Sequence, residues 1–294
     1  MIQLTKEQPN TPGKVYLVGA GPGAVDLITV RGAKLLEKAD IVFFDALVDP
    51  AMLELCPQAI QVAVGKRCGK ISSAQQFINK RLVDAAQKYQ VIVRLKGGDP
   101  MLFGRADEEI QALKAAGIEV AVVPGITAAL AGAASIQQSL TLRGVSRSVA
   151  FVTLAQGTEN VPDANPISLM TNPSADTLVY YMGRKDAARI AKQLIEQSTQ
   201  GLSKHHAATP VQILEAVSTL RERQWTSTLA GLAEGKADDW FDSSSPALIM
   251  IGEALRNASL RNESLRSENL EGSSPEIDNG LQDRQILTNS RRRA

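Results

Sequence analysis

Five short apolar runs recur through the first 124 residues: VYLV (15–18), IVFF (41–44), VAV (62–64), VIVRL (91–95) and VAVV (120–123). Between them lie segments with helical spacing of apolar residues, ITVRGAKLLEK (28–38), SAQQFINKRLVDAAQK (73–88) and ADEEIQALKAA (106–116). Short β-branched runs of this kind predict strands buried on both faces. Their alternation with helices predicts a mostly parallel sheet covered by helices. The pattern pauses at Pro124-Gly125 and resumes with a small-residue helix (127–135), strands VAFVTL (149–154), TLVYYM (177–182) and ALIMIG (247–252), and a helix over 186–197. A polar stretch at 157–176 reads as a long loop. The sequence therefore predicts an α/β protein with an N-terminal α/β domain at 14–124 and a second at 125–255. A flexible N-terminus (1–13) and a disordered, Asn-, Ser-, Glu- and Arg-rich tail (256–294) flank them.

Charge and composition narrow the partners. Seven basic and six acidic residues fall from Arg256 onward, leaving 25 of each sign before it. A body so balanced has no basic footprint for nucleic acid. No run of 18 apolar residues indicates a membrane span, and MIQLTKEQPNTPG lacks a secretory pattern. Cys56 and Cys68 fit neither a zinc motif nor a disulfide framework, so a reduced, cytoplasmic chain is expected. His205 and His206 are the only histidines and are expected in a surface loop, which leaves no metal site and no supply for a catalytic triad.

Two predicted strands run straight into glycines, as GAGPGA (19–24) and GGDP (97–100). In sheets of this class ligands sit beyond the carboxyl ends of the strands, and glycine lets the backbone approach them closely. Gly19, Gly21 and Ala24 satisfy a dinucleotide fingerprint, and Asp45 follows the second strand near where a ribose-binding acid would sit. Pro22 opposes that reading, because it has no N–H for a pyrophosphate. The helix is also expected to start only near Leu27 or Ile28, with Asp26 as its N-cap. No Lys-Ser or Lys-Thr follows for a phosphate-binding P-loop. These residues ask for a ligand that needs close backbone contact and brings no pyrophosphate.

VYLVGAGPGAVDLITVRGAKLLEKADIVFFDALV, VAVGKRCGK, VIVRLKGGDPMLFGRADEE, VVPGITAALAGAASI and TLVYYMG follow one another over roughly residues 14–254. In that order they resemble the S-adenosylmethionine-dependent tetrapyrrole methylases, and specifically the uroporphyrinogen-III C-methyltransferases. The resemblance implies two α/β domains with S-adenosyl-L-methionine in the cleft between them, within a homodimer. It places Pro22, Gly97, Gly98, Asp99 and Leu102 at the cofactor, with Thr127, Ala128, Met182 and Val217 completing the site from the second domain.

The implied reaction is transfer of two methyl groups to pyrrole carbons of uroporphyrinogen III, giving precorrin-2. The enzyme's task is then to align a carbon nucleophile with the methyl group and to move protons. The resemblance makes Asp45 the proton acceptor and Lys66 the proton donor. The substrate's eight carboxylates call for basic side chains, and Arg67, Arg105 and Arg143 are the candidates. Several positions depart from the family pattern: Leu142 stands where histidine is typical and Ser139 where proline is usual. Ala106-Asp107 replace two glycines, and Val217 replaces a small residue. The rival readings are therefore a methylase of another tetrapyrrole or acceptor, a weakly catalytic tetrapyrrole- or cofactor-binding protein, and a nicotinamide dehydrogenase.

Overall fold

The computed structural model describes residues 11–64, 71–154 and 174–256. Two five-stranded sheets make up its framework. The first holds β1 (Lys14–Gly19), β2 (Ile41–Phe44), β3 (Ile60–Ala63), β4 (Val91–Lys96) and β5 (Val120–Val123), in the order β3-β2-β4-β1-β5. Every pairing in it is parallel. Its crossovers carry α1 (Val30–Leu36), α2 (Ile71–Ala86) and α3 (Ala106–Ala115).

Alternate residues of the strands feed two separate cores, as the pleat requires. Val15, Leu17, Phe43 and Ile92 pack with Leu82 of α2 and Leu113 of α3. Val18, Val42, Val93 and Leu95 pack on the opposite face with Leu36, Met52 and Cys56. The expected strands of this half all form, but the two edge strands differ in character, β5 being only partly buried. β3 is an edge strand whose residues are mostly exposed, so it is not buried on both faces. A second correction concerns the start of α1. Residues Val25–Leu27 form a single 3-10 turn, and Thr29, not Asp26, caps the helix by accepting the Gly32 N–H at 3.1 Å.

The second sheet contains β6 (Val149–Thr153), β7 (Thr177–Tyr181), β8 (Pro210–Glu215), β9 (Arg223–Thr228) and β10 (Ala247–Gly252), in the order β6-β7-β10-β8-β9. Only β6 and β7 pair in parallel; the other three pairings are antiparallel. The expectation of a mostly parallel sheet thus fails in this half, because β10 inserts antiparallel between β7 and β8, and β9 folds back on β8 as a hairpin. α4 (Ala128–Ser135) covers one face, where Ala129 meets Val179, Leu214 and Met250. α5 (Ala187–Thr199) and α6 (Leu229–Ala233) cover the other, around Tyr180, Ile213 and Ile249. Both histidines lie in the loop before β8, but only His206 is exposed there; His205 is buried, its Nε2 lying 2.9 Å from the Ala175 carbonyl oxygen. Most of the polar 157–176 stretch and the tail beyond Arg256 lie outside the described residues.

Candidate active site

β1 and β4 are neighbours, so their glycine-rich loops emerge side by side at the carboxyl edge of the first sheet. There Gly21 and Gly98 exchange a pair of backbone hydrogen bonds, at 3.2 and 2.6 Å. Both residues have positive φ, +79° and +69°, a region open to glycine at little cost. Gly125, just after β5, completes the cluster. A Cβ on Gly125 would stand 2.3 Å from the Gly98 carbonyl oxygen, whereas a Cβ on Gly98 would meet nothing within 4 Å. Three backbones are therefore in contact, and the Gly98 side of that contact faces open space.

Asp99 binds these loops together. Its Oδ2 accepts the Gly125 N–H and its Oδ1 the Met101 N–H, each at 2.8 Å. Pro22, Gly97, Gly98 and Leu102 lie half-buried around it, and a Cβ on Gly97 would strike Leu47 at 2.6 Å.

The second sheet closes the other side. β7 and β8 both run antiparallel to β10, so their carboxyl ends share one edge. Tyr181, at the end of β7, joins its hydroxyl to Thr127 Oγ1 at 2.6 Å and accepts the Ala129 N–H at 3.2 Å. It thereby fixes the start of α4, and burial pushes its phenol above the ordinary range. Its ring lies 5.2 Å from that of Phe103, in the loop after β4. Met182 follows, 56% exposed, in a left-handed conformation. Val217 is buried, and its carbonyl borders Gly23, while Ser218 Oγ accepts the Ala24 N–H at 3.1 Å. Loops from both halves thus meet where Gly23 and Ala24 touch the Val217–Thr219 segment and Phe103 lies beside Tyr181. Pro22, Gly97, Gly98, Asp99 and Leu102 belong to the first half's loops, and Thr127, Ala128, Met182 and Val217 to the second half.

A clamp behind the second wall holds those strand ends. Glu215 is fully buried, pairs with Arg223 and accepts the Asp242 N–H at 2.9 Å. Arg184 donates to the carbonyls of Asp242 and Ser245, and the Ala216 N–H donates to the Pro246 carbonyl.

Asp45 stands at the end of β2, next to the Gly97 loop, with Oδ1 accepting the Leu47 N–H at 3.0 Å. Its Oδ2 faces Arg94 Nη2 at 3.6 Å. Arg94 and Lys96 are buried in β4 and converge on the buried Glu109 of α3. Burial, then the charge of Arg94, lowers the Lys96 pKa despite the pull of Glu109. The sequence reading missed this cluster, although two cations inside the apolar run VIVRLK were its visible sign. Arg105 is exposed, and its guanidinium is engaged by both Glu108 oxygens at 2.6 and 2.7 Å. Arg143 is exposed at the tip of a small hairpin closed by the Leu142–Ser146 bridge. Lys66 and Arg67 lie outside the described residues. Among the described residues no cluster of three or more His, Cys, Asp or Glu side chains is arranged for a metal, and no helix is long and apolar enough to cross a membrane.

Glycine-rich loops at the ends of β1 and β4 thus stand against loops that follow β7 and β8 of a second, mostly antiparallel sheet. The chain belongs to the tetrapyrrole (corrin/porphyrin) methylase family, whose model matches residues 14–233. Among solved structures it is similar to uroporphyrin-III C-methyl transferase from Thermus thermophilus complexed with S-adenyl homocysteine. That structure is 36% identical with a TM-score of 0.67, over 83% of this chain and 99% of the other. A cobalt precorrin-4 methyltransferase is 26% identical with a TM-score of 0.66, over 83% of this chain and 96% of its own. Among curated proteins, the siroheme synthase of Pseudomonas fluorescens is 42% identical over 250 residues, 84% of this chain and 51% of the relative. The chain spans about half the length of the curated relatives it matches.

Proposed function

We propose that the chain transfers methyl groups from S-adenosyl-L-methionine to two pyrrole carbons of uroporphyrinogen III, giving precorrin-2. The observation that carries this reading is the contact of Gly19, Gly98 and Gly125 at the strand ends, with the Gly98 side left open. The residues fit a donor without phosphate. Pro22 offers no N–H to a pyrophosphate, and α1 begins too far along the chain to point its first turn at one.

When bound, S-adenosylmethionine supplies an electrophilic methyl group on a sulfonium. Backbone groups of Gly97, Gly98 and Ala128 hold its polar ends in this reading. Pro22, Leu102, Met182 and Val217 pack its apolar surface. The Asp99 carboxylate acts through the backbone, since both its oxygens already accept loop N–H groups. Thr127 likewise serves the start of α4 through Tyr181. Asp45 accepts the proton lost from the ring after methyl addition, and Lys66 donates one. Arg67, Arg105 and Arg143 pair with substrate carboxylates. A homodimer and a cytoplasmic location belong to the same proposal, and sedimentation of the purified chain tests the first.

The deciding experiment is anaerobic incubation with uroporphyrinogen III and S-adenosylmethionine, followed by mass spectrometry. Two added methyl groups are expected. A second reading, methylation of a different tetrapyrrole, is favoured by Leu142 beside the exposed Arg143. No added methyl together with intact S-adenosylhomocysteine binding selects that reading, and binding of NAD in its place removes both.

A further inference from the structure

Arg94 and Lys96 occupy alternate positions of β4 and so share one face of the strand. On that face Glu109 accepts from Arg94 Nε at 3.2 Å, from Lys96 Nζ at 3.1 and 3.2 Å, and from Gln75 Nε2 at 3.2 Å. The three charged side chains are 4%, 5% and 0% exposed. Two buried cations therefore face a single buried anion, an arrangement that costs stability unless a further negative charge is near. The ion pair between Arg94 and Asp45 supplies it, and Asp45 is 24% exposed, lying between the cluster and the cleft.

The guanidinium cannot swing. Nε is held by Glu109, and Nη1 donates to the Leu95 carbonyl at 2.8 Å and to the Phe43 carbonyl at 3.5 Å. Only the Nη2 corner remains, and it faces Asp45 Oδ2. At 3.6 Å this is an ion pair and not a hydrogen bond, so Oδ2 keeps its lone pairs for an incoming proton.

We propose that Arg94 is a positioning residue, locked by Glu109, that orients Asp45 toward the proton it takes in each methyl transfer. The inference rests on the reading of Asp45 as proton acceptor. In that step a ring C–H bond breaks, its electron pair stays in the macrocycle, and an O–H bond forms on Asp45. The cluster of Arg94, Lys96 and Glu109 is then left with one uncompensated positive charge.

A double-mutant cycle tests this, using Arg94→Met/Glu109→Gln, which removes one cation and one anion together, and Asp45→Asn. Asp45→Asn alone is expected to lower kcat about 100-fold, the scale of a lost general base. A wild-type kcat for that variant overturns the Asp45 reading without involving Arg94. Arg94→Met/Glu109→Gln is expected to lower kcat about tenfold and to leave KM and S-adenosylhomocysteine affinity within about twofold, with no further loss in the Asp45→Asn background. An equal fold-loss in both backgrounds, or an unchanged kcat, overturns the role of Arg94. Should the paired variant fail to fold, Arg94→Lys carries the test. Lysine cannot reach Glu109 and Asp45 together, so a reduced kcat at unchanged S-adenosylhomocysteine affinity is expected, and a wild-type kcat overturns the proposal.

Discussion

Asp99 and Gly125 join two strand ends that are 26 residues apart in sequence: the carboxylate Oδ2 accepts the glycine N–H at 2.8 Å. With Met101 N–H on the other oxygen, one side chain shapes the loop after β4 and ties it to the loop after β5. Asp99→Asn keeps one acceptor oxygen and loses the charge and the other. It is expected to weaken S-adenosylhomocysteine binding about tenfold by calorimetry, the scale of one charge-assisted hydrogen bond. An affinity equal to wild type would show that the loops hold their shape without it.

Gly125→Ala and Gly98→Ala should fail in different ways. The Gly125 methyl meets backbone on two sides, the Gly98 oxygen at 2.3 Å and the Gly19 Cα at 2.8 Å. It should therefore lower the unfolding free energy by about 1–3 kcal/mol. The Gly98 methyl meets no atom within 4 Å and pays only for its positive φ, about 1–2 kcal/mol. In the proposed site it projects toward the cofactor, so its loss of S-adenosylhomocysteine affinity should exceed its loss of stability. Thermal unfolding and calorimetry on both variants separate the two effects.

Arg143 and Lys66 should divide binding from turnover. Arg143→Ala is expected to raise KM for uroporphyrinogen III about tenfold, equivalent to 1.4 kcal/mol, at unchanged S-adenosylhomocysteine affinity. Lys66→Ala should instead lower kcat with little change in either binding constant. Steady-state kinetics with both variants give the answer, and a KM effect at Lys66 alone would reverse the assignment.

His205 gives the fold a defined sensitivity to acid. Burial holds its imidazole below the ordinary histidine pKa, against the weaker pull of the Ala175 carbonyl. The folded state therefore binds the proton less readily than the unfolded chain. The contribution of His205 is complete above about pH 6.5, the unfolded value, and declines as pH falls from there toward the folded pKa. The Tm should drop between pH 7.5 and 5.5, and His205→Gln should flatten that part of the curve.

The first sheet was legible because its strands are short, mainly β-branched runs, most of them stopped by glycine, aspartate, lysine or proline. The adjacency of GAGPG and GGDP was legible for the same reason, since both follow strands of one parallel sheet and so share its edge. The second sheet was harder to read. β9 is RQWTST, a polar strand at an open edge, and carries neither a buried run nor clean alternation. The cap of α1 was misplaced because Asp26 and Thr29 both suit the role, and the intervening 3-10 turn decides between them. The charge cluster depends on α3 returning Glu109 to β4, a meeting no local pattern encodes.

Among the described residues, five of the six non-glycine positions with positive φ lie in the loops that follow β4, β7 and β8: Phe103, Arg105, Met182, Ala216 and Ser218. Each such conformation is held against its own preference by about 1–3 kcal/mol. The molecule thus keeps its tension where catalysis is proposed and its rigidity in the sheets behind. A heat-hardened descendant chosen only for endurance would replace these five first, with glycine or asparagine. It would outlast its parent and turn over more slowly.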